Sequence, residues 1–151
     1  MSDNLTPEQR SYCMSRVKGK DTRIEKLIRS ELVRRGLRFR KHLAALPGKP
    51  DIVFAKTRVA VFIDGDFWHG YRFPLWAHQL SGFWRIKIGK TRERDRRNFR
   101  RLRSMGWRVV RLWQHEIEND FQRSLSRITR AIEDESRDRD TRLFPNPQRH
   151  A

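Results

Sequence analysis

Three aspartates and a histidine fall close enough along the chain to share one end of a sheet. Asp51 follows the turn cluster Leu46-Pro47-Gly48-Lys49-Pro50. Asp64 and Asp66 close the apolar run Val59-Ala60-Val61-Phe62-Ile63, and His69 comes five residues after Asp64. If the two runs pair as a hairpin, their carboxylates meet at one end. A hard divalent cation wants such oxygen ligands, and Mg²⁺ is usually held by one or two carboxylates plus water and phosphate. His69 can serve as a general base near neutral pH, because its free pKa is about 6.5. The blander readings stand beside these. Asp64-Gly65 is also a favoured turn pair, and a lone histidine is more often structural or on the surface. On residue types alone, site and turn weigh equally. Glu25 stands at N3 of a capping box opened by Thr22, which accounts for it without chemistry. Asp95 lies among cations and reads as relief of their repulsion. Phe67-Trp68 in a polar, Gly-flanked loop is either a core plug or a wedge for a base stack. Trp84 and Met14 are weaker candidates for the same role.

These residues need elements to hold them. Ile24, Leu27, Ile28 and Leu32 fall at helical spacing after Thr22, and Gly36 is a suitable stop. Strands are expected at Leu37–Arg40, Asp51–Phe54 and Arg58–Ile63, with Lys56-Thr57 as a turn. Phe83 to Met105 reads as a helix ended by Gly106, and Trp107–Trp113 as a further strand. Phe121, Leu125, Ile128 and Ile132 mark a last amphipathic helix. Residues 1–20 read as a polar arm, and the segment from Asp138 as a loose tail. The fold class is therefore α/β, with a central mixed sheet flanked by helices.

Charge narrows the partner. The 151 residues carry Lys+Arg 35 against Asp+Glu 18, a formal net charge of +17, together with five Trp, two Tyr and nine Phe. So many aromatics argue against a disordered basic tail, and a folded basic domain most often meets nucleic acid. Within residues 85–103, ten Lys and Arg stand against Glu93 and Asp95 alone. Phosphate contact explains that excess better than solubility does, with Lys87, Lys90, Arg97 and Arg101 as candidate contacts. The single Cys13 excludes a disulfide framework and a Cys-rich zinc motif. No apolar run approaches the roughly 20 residues of a membrane span, and the polar MSDNLTPEQR start has no signal-peptide core. A soluble, intracellular protein is expected.

Met14-Ser15-Arg16, Asp21-Thr22-Arg23-Ile24-Glu25, Leu46-Pro47-Gly48-Lys49-Pro50-Asp51, Phe67-Trp68-His69-Gly70, Phe83-Trp84, Lys87-Ile88-Gly89-Lys90, Arg94-Asp95-Arg96 and Gly106-Trp107-Arg108-Val109 occur in that order. Together they resemble the very short patch repair endonucleases, of the PD-(D/E)XK restriction-endonuclease-like fold. The resemblance runs from about Arg10 to Glu116 and implies a three-layer endonuclease domain over 21–137, between the arm and a tail at 138–151. It implies a Mg²⁺-dependent enzyme that nicks double-stranded DNA at T:G mismatches, acting as a monomer in the bacterial cytoplasm, at the nucleoid. Asp51 and the Ile63 carbonyl would hold the metal. His69 would activate water with Asp95 orienting it, and Glu25 would lie near the arm and metal waters. Phe67, Trp68 and Trp84 would wedge into DNA, with Met14 entering from the other groove. Two departures stand out. The best-studied members carry His where this chain has Asp64, so Asp64 is expected to share the metal as in other nucleases of the fold. Members also hold a structural zinc by Cys and His. The matching positions here are Asp66, Tyr71 and His115, with His78 close in sequence, and that zinc is expected to be missing. Alternatives are a same-fold nuclease of other DNA specificity, in restriction or phage defence, and a non-catalytic DNA-binding domain.

Overall fold

Thr22 starts the ordered core. In the computed structural model, which describes Thr6 and residues 22–143, its hydroxyl accepts the Glu25 N–H at 3.3 Å and opens helix α1, Arg23–Arg34. An N-cap of this kind satisfies one of the helix's orphan donors. Gly36, at φ 78°, ends the helix in the left-handed region, and the Leu37 N–H returns to the Leu32 carbonyl at 3.0 Å.

Four strands follow: β1 Arg40–Lys41, β2 Ile52–Phe54, β3 Val59–Asp64 and β4 Arg108–Trp113. They form one sheet in the order β1-β2-β3-β4. The first two pairings are antiparallel, with Ile52 opposite Val61, and β3 and β4 are parallel, with Asp64 beside Trp113. A parallel pair needs a long crossover, and helix α2, Gly82–Ser104, supplies it. Short helix α3, Gln114–Asn119, and long helix α4, Phe121–Leu143, complete the chain.

Strand alternation sends side chains into two cores. Val59, Val61, Val110 and Leu112 pack with Ile28, Leu32, Ile117, Leu125 and Ile128 under α1, α3 and α4. Ala60, Phe62 and Val109 pack with Phe99 and Leu102 of α2 on the other face. Each such buried aliphatic or aromatic side chain contributes about 1.5–3 kcal/mol. The three layers are those expected for the restriction-endonuclease-like α/β class.

Three boundaries differ from expectation. The strand expected at Leu37–Arg40 is reduced to Arg40–Lys41, because Leu37 and Phe39 turn into the core instead of extending the ladder. Helix α3 has no sequence periodicity to announce it. It is set by Glu116, whose carboxylate accepts the Trp113 N–H at 3.2 Å. Helix α4 runs to Leu143, six residues into the expected tail, since nothing breaks it before Pro145. Met14 and the rest of the expected arm lie outside the described residues. Among the described residues, no helix is long and apolar enough to cross a membrane.

Candidate active site

Asp51 is fixed by the hairpin. Its N–H donates to the Val61 carbonyl at 3.0 Å, and its Oδ2 accepts the Ile63 N–H at 2.7 Å. The carboxylate is thus folded across the end of β3. His42 faces it at 3.8 Å through Nδ1 and faces Glu25 at 3.6 Å through Nε2. Arg29 donates to Glu25 from one turn further along α1, at 3.4 Å. Glu25 is buried, so the capping-box residue also delivers a carboxylate to the site. Ligand atoms of Glu25, His42 and Asp51 all lie within 4.8 Å of one another. Burial pushes the Asp51 carboxyl up to about 7. The Ile63 N–H opposes that rise, and the charges of Glu25 and Asp64 add to it.

A second group forms at the end of β3. The chain winds tightly after Asp64, with the His69 N–H on the Gly65 carbonyl at 3.1 Å and the Tyr71 N–H on the Asp66 carbonyl at 2.8 Å. Gly70 makes the turn possible. Its φ is 70°, and a Cβ there would stand 2.6 Å from Cδ of Arg92 and 2.9 Å from Cγ2 of Ile88. His69 is thereby pressed against α2, where Nδ1 meets Asp95 Oδ2 at 2.8 Å. Its Nε2 is 3.5 Å from Asp64 Oδ1. Arg111 on β4 binds both acids, through Nε to Asp64 at 2.8 Å and through Nη2 to Asp95 at 3.0 Å. Burial depresses the His69 pKa, but the Asp95 hydrogen bond and the Asp64 charge outweigh it and leave His69 above its ordinary value. Burial raises the Asp64 carboxyl, against the pull of His69 and Arg111. Asp64, Asp95 and His69 form the second group of residues that could hold a metal.

The sequence reading of Asp64 as a shared metal ligand meets a competitor here. Oδ2 is committed to Arg111 and Oδ1 faces His69, so Asp64 as placed orients the histidine. Asp95, read blandly from its cationic surroundings, is a buried partner of His69. Arg111 and His42 were not singled out from the sequence. An arginine between Val109 and Trp113 on the same face of a strand was the available signal for the first. His42 had none beyond its place beside Lys41.

Two clefts open on either side of His69 and Ile63. One, of about 540 Å³, is lined by Asp51, Asp64 and Asp95; the other, of about 440 Å³, by Glu25, Trp68 and Lys87. Arg94 lines both. Lys90, Arg97 and Arg101 are exposed on α2 but line neither cleft. Beside them stands a knot of rings: Phe67 lies 5.1 Å from Trp68, 5.8 Å from Trp76 and 5.6 Å from Trp84. Phe67 is 39% exposed and Trp84 only 6%. Trp84 is therefore not a presented wedge: it is packed beneath Phe67 and Trp68 as their backing. Behind the knot, His115 Nδ1 meets Asp66 Oδ1 at 2.7 Å, and the Tyr71 ring covers His115 at 4.3 Å. Asp66, Tyr71 and His115, the positions matched to the family's zinc ligands, are thus gathered in one place, and His78 joins no metal-capable group among the described residues.

The profile of the family described as DNA mismatch endonuclease Vsr matches residues 2–74. The Escherichia coli DNA mismatch endonuclease Vsr is 38% identical, covering 89% of this chain and 87% of its own length. The chain belongs to the Vsr DNA mismatch endonuclease family. A type II nicking enzyme of Xanthomonas oryzae pv. oryzae, V.XorIIP, is 44% identical over 79% of this chain and 89% of its own. Another from Neisseria meningitidis serogroup C, V.NmeDIP, is 37% identical over 87% and 91%. This Vsr-family chain is accordingly a DNA endonuclease, of the strand-nicking kind, and its acidic and histidine groups are suited to a metal.

Proposed function

We propose that this chain nicks one strand of duplex DNA at T:G mispairs, as a monomer, using Mg²⁺. The observation that carries the reading is the placement of His69. It is gripped at Nδ1 by Asp95, a few ångströms from the acidic cleft of Asp51, and directly beside the partly exposed Phe67 and Trp68.

Asp51 and the Ile63 carbonyl would hold the cation, with Glu25 and His42 beside them. The donors are mostly oxygen, which fits a hard ion. When bound, Mg²⁺ supplies charge stabilisation on the phosphate being cut. The protein does the rest. With Asp95 accepting from Nδ1–H, the Nε2 of neutral His69, which lies 3.5 Å from Asp64 Oδ1, would carry the lone pair that takes a proton from water. Asp64 and Arg111 hold the ring in place. Lys87 and Arg94 meet the phosphates at the clefts, and Lys90, Arg97 and Arg101 extend contact along the backbone. Phe67 and Trp68 insert where unstacking costs least, at a mispair.

The test compares nicking of T:G and fully paired duplexes of one sequence, by the native protein and by Trp68→Ala, in Mg²⁺ and in EDTA. Mg²⁺-dependent preference for T:G, reduced in Trp68→Ala with general affinity retained, is expected. Equal cutting of paired DNA by the native protein would replace this reading with a same-fold nuclease of other specificity.

A further inference from the structure

At the other end of the sheet lies a second basic feature that the nicking site does not use. A concave basin of about 670 Å³ is walled by Arg58 and Arg108 from the sheet end, by Arg103 from the last turn of α2 and by Arg139 and Arg142 from α4, with Glu135 as the single acid of its lining. Arg58 directly precedes β3 and Arg108 opens β4, and the Arg108 N–H donates to the Arg58 carbonyl at 2.9 Å. Asp64 closes the same strand. Six residues at about 3.3 Å each put the basin roughly 20 Å from the active-site end.

Two properties set these arginines apart from a merely solvated face. Of these five arginines, only Arg108 has an ion-pair partner among the described residues, Asp134 at 3.2 Å. Arg58 also holds φ 57°, where Asn or Gly would be easier. Its Nη1 would touch a Cβ on Gly106 at 3.4 Å, so the guanidinium lies against Gly106, where no side chain intervenes. Helix-end placement accounts for Arg103 and Arg142, but not for an arginine in a left-handed turn. Guanidinium groups gathered around a hollow, with planar forks suited to phosphate oxygens, match a phosphodiester backbone.

We propose that this basin binds the phosphates of a second DNA segment while the active-site end holds the first. The chain could then pass between segments without full release, as a searching enzyme needs. The proposal rests on the chain acting on DNA, and stands or falls independently of the T:G preference.

The experiment uses the full-length protein, a short bead-tethered T:G duplex and a free, labelled, paired duplex. The comparison is with the triple variant Arg58→Asn, Arg139→Gln, Arg142→Gln. The native protein is expected to retain the labelled duplex on the beads. The variant should lose that retention at least tenfold and still nick the tethered duplex at the native rate, with an unchanged melting temperature. Retention by the native protein should also fall steeply with salt, and the slope should shrink by about 0.9 per lost contact in variants that retain some bridging. Bridging unaffected by the substitutions would overturn the proposal, as would absence of bridging by the native protein. Parallel loss of nicking would overturn it too, by assigning the basin to the first duplex. Failure of the T:G preference with bridging intact would leave this inference standing.

Discussion

Around Asp64 and Asp95, Arg111 gives both carboxylates a charged donor, at 2.8 and 3.0 Å. Around Asp51, no lysine or arginine does so among the described residues; its closest donor is the neutral Ile63 N–H. Both groups contain two acids and a histidine, and both are largely buried. The difference is what opposes burial. Near Asp64, Arg111 bridges the two acids and His69 is held between them. At Asp51, the main opposition to burial is the neutral Ile63 N–H, while Arg29 is bonded to Glu25, and burial leaves the carboxyl at about 7. A buried acid in that condition gains more from an external cation than one already served by arginine. Similar residue types thus meet an arginine bridging both acids in one place and a neutral donor on Asp51 in the other.

Removing Asp51 should break the comparison most severely. Asp51→Ala is expected to lose nicking by about a thousandfold or more, since metal-assisted charge stabilisation is worth several kcal/mol. Duplex affinity should change little, because no phosphate-binding cation is lost. Single-turnover nicking and a binding titration on one duplex measure both. His69→Ala should cost about 10²–10⁴ in rate. In the native protein the rising limb of rate against pH should sit above 6.5, and Asp95→Asn should move it down, because the bond that raises His69 is weakened.

Arg111 sharpens the contrast in stability instead of rate. Arg111→Met leaves two buried acids without their donor and should cost about 3–5 kcal/mol in denaturant melts. Asp51→Asn should do the reverse at pH 8 without divalent cations, and stabilise. The sign follows from the shift. Asp51 has a folded pKa of about 7, against about 3.9 unfolded. The neutral carboxyl is favoured in the fold, so its contribution is full below about pH 4 and is lost as pH rises towards 7. Added Mg²⁺ should offset that loss, and its affinity should climb with pH over the same window. Thermal melts from pH 4 to 8, with and without Mg²⁺, would show a shallower profile for Asp51→Asn than for the native protein. A stability curve for the native protein that is flat over the same window would remove the distinction between the two groups. The smallest effect is expected from Arg97 and Arg101, each lowering the salt slope of DNA binding by about 0.9 when replaced by Ala.

Much of this was legible in the residues. Short apolar runs placed β2 to β4. The Pro-Gly turn before Asp51 and the Asp-Gly turn after Ile63 brought the acids to one sheet end, as the hairpin requires. What escaped depends on pairings distant in sequence. Arg111 becomes a site residue only because β4 lies parallel to β3, and His42 only because β1 returns beside β2. The burial of Trp84 depends on the loop at Phe67 folding over α2, and no local pattern distinguishes a backing ring from a presented one.

The separation between Asp64 and Arg111, 47 residues, has a consequence for biogenesis. Parallel pairing over such a distance delays completion until the crossover has closed. On the ribosome, at about 5–20 residues per second, roughly 2–9 s pass between the emergence of Asp64 and that of Arg111. During that interval Glu25, Asp51 and His69 already exist as covalent chain, yet Asp64 and Asp95 lack the guanidinium that lets them be buried together. A nascent chain that ends before Arg111 therefore lacks the side chain that joins Asp64 to Asp95.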